Sequence, residues 1–444
     1  MRKNLSFQMK RKRTNIFKQH PKGLYFLFFT ELWERFSYYG MRAILVLFLI
    51  SETSGENPGL GWSKVEAINL YSWYTALVYF ACIPGGIIAD KVLGRIKSVI
   101  LGGFLLCIGH LLLSVDKISF FFSGITFIII GIGFLKPNIS SLVGSLYKKN
   151  STLREQGFTI FYIGINIGAF AASILVGYIG EVYGWHFGFG LAGFGMVLGQ
   201  AVFLKGQKYI NEEEKSEKDY KEKSLSKIEW DRIKVILISF SIIVIFWASF
   251  EQAGGLMNIY IFEKTDRSIS WLGDWEIPTG WFQSINPLLI ILLGVPLSTL
   301  WIKLKKNKIK ISSLFKMIIG TAIMGLGFVF MFFASLEFER QGESAIYWIF
   351  LAFLFHTIGE LCASPVILSF ITKLSPIKYI STIMGLYFAT MGIGNKLAGS
   401  IGQYSQTIGE SQIFMGITIF CLIFSFFLLI FLKKLERLTH NADV

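Results

Sequence analysis

Twelve apolar runs, each long enough to cross a bilayer as a helix, follow one another along the 444 residues of this chain. A span needs about 20 predominantly apolar residues, and in hydrocarbon a lone segment satisfies its backbone only as a helix. The runs lie near 23–50, 65–90, 96–114, 119–146, 157–179, 185–205, 232–262, 278–303, 311–335, 344–372, 379–403 and 411–432. Composition agrees, with 53% of residues hydrophobic, 16% charged and a mean hydropathy of +0.55. The expected fold class is an all-α polytopic membrane protein. A net charge of +14 would point a soluble protein toward nucleic acid, but here the bases sit in short loops between apolar runs. No nucleic-acid partner is expected.

Loop charge orients the spans. Lys10 to Arg13, Lys91/Arg95/Lys97, Lys148/Lys149/Arg154, the lysines between 303 and 310, and Lys433/Lys434 fall on one side. Glu52/Glu56, Glu181, Asp274/Glu276 and Glu337/Glu339/Glu343 fall on the other. The positive-inside rule then puts both termini in the cytoplasm of a cell-membrane protein. Residues 207–230 are strongly polar and too short to hold two further spans, so they read as a cytoplasmic linker. The chain divides into a six-helix bundle over 1–206, the linker, and a second bundle over 231–444. Cys82, Cys107, Cys362 and Cys421 lie inside apolar runs with no metal-like spacing and read as reduced packing residues. Residues 1–22 are basic but lack a cleavable signal pattern.

The first span is the unusual one. Within it stands Glu31-Leu32-Trp33-Glu34-Arg35-Phe36-Ser37-Tyr38-Tyr39-Gly40-Met41-Arg42. Helical spacing puts Glu31, Glu34, Arg35, Tyr38, Tyr39 and Arg42 on one face. Each ionised side chain at mid-bilayer costs about 2.5–3.5 kcal/mol on insertion scales, so four on one helix must pair and face a bundle interior or wet cavity. A salt-bridge cluster that merely locks helices is the plain alternative. Charges interleaved with tyrosines favour a working site. Further ionisable residues lie deep in other runs: Lys136, Glu251 and Glu360. Fully ionised, Glu31, Glu34, Glu251 and Glu360 exceed Arg35, Arg42 and Lys136 by one carboxylate. An uncompensated carboxylate in low dielectric tends to hold a proton, which is proton coupling in outline. The same inventory suits a zwitterion, with bases on the first half and Glu360 on the second.

The string Glu-x-x-Glu-Arg-Phe-x-Tyr-Tyr-Gly with a second Arg at 42 resembles the first-helix signature of proton-dependent oligopeptide transporters, a family of the major facilitator superfamily. Other strings agree: Gly85 to Lys97 with Asp90 and Arg95, Lys136-Pro137-Asn138, Phe161 to Gly168, Gly184 to Gly190, Phe246 to Gly254, Gln283 to Pro287, His356 to Pro365 and Met384 to Gly399. The resemblance implies the major facilitator fold, twelve transmembrane helices in two six-helix bundles, and proton-coupled symport of di- and tripeptides by alternating access. It implies that Glu31, Glu34, Arg35, Lys136 and Glu251 couple protons. Arg42 and Lys136 would bind the ligand carboxylate; Glu360, Asn166 and Asn286 its amino terminus. Tyr38, Tyr39, Tyr79 and Tyr387 would line the pocket, and Asp90 and Arg95 would gate. No cofactor is expected beyond the proton as coupling ion. The partners are the peptide, protons and the lipid bilayer, and a monomer suffices for the arrangement.

The chain departs from the family pattern at Ser72, where animal members carry a histidine, and at Ser145, Ile367 and Tyr387, the last replacing a common tryptophan. His186, at a helix end, reads as interfacial, and His356 as a satisfied buried histidine. Alternatives are transport of nitrate or another small anion or zwitterion, drug efflux, or peptide sensing without sustained transport. Members that carry nitrate often lack the acids of the Glu-x-x-Glu-Arg string, which are present here. An enzyme is not expected, since no nucleophile–base or metal spacing stands out.

Overall fold

The computed structural model describes residues 20–147, 152–210, 225–269, 273, 275–307, 311–376, 379–440 and 442. The basic stretch Lys10 to Arg13, Lys148/Lys149, Asp274, Lys308, Lys310 and most of the 207–230 linker lie outside the described residues. The helices are α1 (Lys22–Ile50), α2 (Lys64–Ile88), α3 (Arg95–Leu113), α4 (Ile118–Ser145), α5 (Thr152–Tyr178) and α6 (Trp185–Gly206) in the first half. The second half holds α7 (Lys227–Phe250), α8 (Leu256–Lys264), α9 (Thr279–Phe282), α10 (Ile285–Lys306), α11 (Ser313–Gln341), α12 (Ile346–Leu374), α13 (Ile380–Ile408) and α14 (Glu410–Leu438). Because α7 with α8, and α9 with α10, are each one interrupted span, these make twelve transmembrane helices in two bundles of six.

Ten of the twelve are long and apolar enough to cross a membrane by length and composition alone. The other two long helices are α1, which carries the charged string, and α13. Local sequence sets the helix starts. Ser63 and Glu66 form a capping box on α2, Ser226 and Glu229 another on α7, and Ser312 caps α11 through the Phe315 amide. Phe420, Ile423, Phe426, Phe427 and Ile430 on α14 are exposed, as a lipid-facing side requires.

Each half has its own apolar core, one drawn from Leu24 to Ile210 and the other mainly from Val235 to Leu435. Inside each half the third and fourth spans meet through a reciprocal glycine pair. A Cβ on Gly102 of α3 would lie 2.6 Å from the Gly131 carbonyl oxygen of α4, and one on Gly131 would lie 2.8 Å from the Gly102 oxygen. In the second half Gly320 of α11 and Gly359 of α12 do the same, at 2.7 and 2.6 Å. Any side chain at these four positions would push the backbones apart. The repeat between halves, faint in the sequence, is therefore visible as one packing device used twice.

Two features were not anticipated. The seventh span, expected to be continuous over 232–262, breaks at a 3₁₀ turn, Glu251–Ala253, followed by Gly254 and Gly255. Between α8 and α9 the chain forms a two-stranded antiparallel hairpin, β1 (Ser268–Ile269) with β2 (Trp275–Glu276). The remaining spans fall where expected, with several running up to about two turns beyond the apolar run, as Ser313–Gln341 and Glu410–Leu438 do.

The halves are joined by packing of α2 against α13 and by a set of polar contacts. The end of the bundle where α1 begins and α14 finishes is the linker end; the opposite end is the far end. Among the described residues, the hydrogen bonds and ion pairs that join the halves run from the centre to the far end. They include Lys64 with Glu263 at 2.5 Å, Asn258 with the Ala43 carbonyl at 3.0 Å, and Trp281 with the Ile174 carbonyl at 3.0 Å. Asn395 reaches the Thr75 carbonyl at 3.2 Å, and Lys396 reaches Asn69 and Ser72 at 2.9 and 3.1 Å. Together these bonds hold the far end closed.

Candidate functional site

The charged string of α1 faces inward, with Glu31, Glu34, Arg35, Tyr38 and Arg42 all buried. Arg35 Nε lies 3.0 Å from Glu31 and 2.5 Å from Glu34, so one guanidinium serves two carboxylates. These are ion-pair contacts without hydrogen-bond alignment: Glu31 Oε2, both Glu34 oxygens and Arg35 Nη2 have no hydrogen-bond partner among the described residues. The cluster carries one carboxylate more than it has cations, and oxygens free to take a proton. Arg35 also lies over the Tyr38 ring, 5.2 Å from its centroid, and Arg42 over the Tyr39 ring at 5.8 Å.

Seven residues beyond Arg35 on α1, Arg42 Nη2 meets Glu251 at 2.9 Å, and Arg42 Nε donates to the Tyr71 hydroxyl at 2.6 Å. Tyr71 in turn donates to Glu251 at 3.2 Å, closing a three-membered contact between α1, α2 and the broken seventh span. The break explains the geometry. A Cβ on Gly254 would fall 2.8 Å from Arg42 Nε, so only a glycine leaves room for the arginine there.

The Lys136 ammonium sits 3.9 Å from the centroid of the Tyr79 ring, half-buried and with no carboxylate within ion-pair distance among the described residues. Tyr79 belongs to α2, yet its ring packs into the core of the second half. Tyr387, Met391 and Ile383 of α13 join that same cluster, so Tyr387 shares the packing of this wall. On the opposite half Glu360 is 8% exposed and, among the described residues, meets no cation within ion-pair distance. Its carboxylate accepts a 2.8 Å hydrogen bond from Asn286, which also donates to Thr357 at 3.1 Å. Asn166 is buried and donates to the Tyr162 carbonyl of its own helix at 2.9 Å.

Asp90 lies exposed in a turn, Ala89–Leu93, at the linker end, and Arg95 opens α3 just beyond it. Ser72 is buried and holds Lys396. His186 packs at a helix end, with Asp116 at 3.2 Å and the Leu113 carbonyl at 3.1 Å. The reading of His356 needs correction: it is buried against Phe328, and neither ring nitrogen has a partner among the described residues. Tyr71, Gln252 and Asn258 were not singled out in the sequence. Polar side chains inside apolar runs, a tyrosine in the second and amides in the seventh, were the available signals. Gln252 donates to the Ala398 carbonyl at 2.9 Å and so fastens α13 to the seventh span.

Two six-helix halves around a buried, partly unpaired set of charges define a membrane transporter of the major facilitator fold. The sequence model of the POT family matches residues 96–230 and 229–418, and the chain belongs to that family. It is 34% identical to the uncharacterized transporter YclF of Bacillus subtilis, over 94% of this chain and 95% of that one. It is 31% identical to a di-/tripeptide transporter of Lactococcus lactis subsp. cremoris, over 97% of this chain and 99% of the relative. A crystal structure of a POT family transporter with a thioalcohol-conjugated peptide matches with a TM-score of 0.86 at 30% identity, covering 94% of this chain and 97% of that one.

Proposed function

We propose that this chain is a proton-coupled symporter that imports di- and tripeptides across the cell membrane by alternating access. The observation that carries the reading is the pair of unmatched charges at mid-span. Among the described residues, Lys136 on the first half has only an aromatic face, and Glu360 on the second has only an amide. A zwitterionic peptide bridging them satisfies both, and in doing so draws the halves together. The di-/tripeptide transporter of Lactococcus lactis and the peptide complex of a family member support the substrate class.

In this reading Lys136 takes the ligand carboxylate, helped by the Arg42 nitrogen left free by Glu251 and Tyr71. Glu360, with Asn286 and Asn166, takes the ammonium. Tyr38, Tyr39, Tyr79 and Tyr387 wall the pocket, and aromatic walls around few charges accept varied side chains. The Glu31–Glu34–Arg35 cluster holds the coupling proton, and Glu251 carries a second one when it parts from Arg42. Asp90 and Arg95 secure the linker end when it closes. Both termini and the linker face the cytoplasm, residues 1–206 and 231–444 rock as units in the lipid bilayer, and a monomer suffices.

The test is uptake into proteoliposomes under an inward proton gradient, competed by dipeptides, tripeptides, amino acids and nitrate. Uptake that follows the gradient and yields to di- and tripeptides supports the reading. Uptake indifferent to the gradient, or yielding to nitrate alone, overturns it.

A further inference from the structure

Among the described residues, two carboxylates of the far-end seam have no role in the transport reading, Glu263 beside Lys64 and the more deeply buried Glu181. Glu181 stands in a turn, Ile179–Tyr183, between α5 and α6 of the first half. Its side chain is 9% exposed, and among the described residues its side-chain partners all belong to the second half. Oε2 accepts from the Thr279 amide at 2.8 Å and Oε1 from the Gly280 amide at 2.6 Å. Arg267, anchored beside the hairpin by Ile277 and Glu276, approaches Oε2 at 4.0 Å. The turn itself is fixed from behind, since Asn57 donates to the Gly180 and Glu181 carbonyls at 2.8 and 3.1 Å. Next to it Gly177 and Gly280 touch backbone to backbone.

We propose that Glu181 is the latch that holds α9 and α10 against α5 when the far end is closed, and that its release is a required step of far-end opening. This rests on the alternating-access reading. A carboxylate on the first amides of a span is stabilised by donors that have no other partner in the helix. Its bonds are charge-assisted and all cross the seam. They cannot survive separation of the halves, and nothing within the first half replaces them among the described residues. Unlike Arg42 and Glu251, Glu181 is remote from the central charges, so it weights the conformational balance without touching the ligand.

Two variants separate the latch from a structural role. Glu181→Gln removes the charge and one acceptor. Thr279→Pro removes a donor from the other half, at a helix start where proline is well tolerated and after Pro278, whose backbone is already extended. The readout is reaction of an impermeant thiol reagent, in intact cells, with Ser173→Cys in a chain whose four cysteines are replaced. Ser173 is 2% exposed on α5, and its carbonyl lies beside Gly280. Each variant is expected to raise the reaction rate about tenfold, the factor that about 1.4 kcal/mol converts to, and the double variant no further. Parental rates in either inserted variant overturn the latch, as does failure of both to insert, which would make the contact a folding element. Dipeptide uptake by the parent is scored separately. Its absence sinks the transport reading, whereas the labelling comparison reads the latch alone.

Discussion

Arg42 of α1 and Glu251 of the broken seventh span form a buried ion pair across the seam, 2.9 Å apart, with the Tyr71 hydroxyl bonded to both. Removing one partner of a buried pair leaves its mate uncompensated, at a cost of about 3–5 kcal/mol. Here that cost falls on the far-end-closed state alone, because parting the halves lets water reach the arginine. Glu251→Gln is therefore expected to shift the chain toward far-end opening and to cut gradient-driven uptake by more than about tenfold. Uptake at the parental rate would show that the pair is not part of the cycle.

In the Glu31–Glu34–Arg35 cluster the expected outcome is sharper. Glu34→Gln and Arg35→Ala should each abolish accumulation of peptide against its gradient, while binding survives in weakened form. The measurement is proteoliposome uptake alongside equilibrium binding. Accumulation at the parental rate by either inserted variant would reduce the cluster to a helix lock.

Glu360 offers a contact that can be isolated. A charge-assisted hydrogen bond to the ligand ammonium is worth about 1.5–3 kcal/mol, so Glu360→Gln should weaken a free dipeptide by roughly one to two orders of magnitude. An N-acetylated dipeptide has no ammonium and should lose little. Competition by both ligands on both proteins gives the coupling. Equal losses would mean that Glu360 braces Asn286 and Thr357 and does not read the amino terminus.

Lys136 provides the mirror experiment. With only the Tyr79 ring for company, it is free to exchange that face for a carboxylate. Lys136→Ala should cost a free dipeptide roughly tenfold or more in affinity and a C-terminally amidated one much less. An equal cost for both ligands would place the ligand carboxylate elsewhere.

Topology is checked by labelling. Reagents at Ser216 in the linker and at Ala442 near the C-terminus should both report the cytoplasmic side. An extracellular report at either position inverts the assignment.

The spans were legible because a bilayer imposes length and apolarity on every one of them, and the α1 string because charge is so costly there. Which charge meets which was not legible. Sequence order left one surplus carboxylate without saying where it falls, and only the packing of α1 against the broken seventh span assigns Glu251 to Arg42. That break was hidden because Glu251-Gln252-Ala253 is compatible with a continuing helix, and the two glycines after it look like any close-packing pair. The Tyr79 ring beside Lys136 is not legible either, because the two lie on different helices. His356 reads as satisfied in the sequence because buried histidines usually are, whereas the space around it is filled by Phe328 and the α11 backbone at Gly327.

The reciprocal glycine pairs, Gly102 with Gly131 and Gly320 with Gly359, bear on how force travels through the molecule. Where backbone rests on backbone there are no rotamers to flip and no side-chain stems to bend, so such a joint neither stretches nor damps. The seam between the halves is built mostly the other way, from side chains of arginine, lysine, glutamate and asparagine, with backbone against backbone at Gly177 and Gly280. Motion started by a ligand at mid-span is then carried to the ends by two stiff arms, as in a see-saw, and the compliance lies mainly along the line on which they meet.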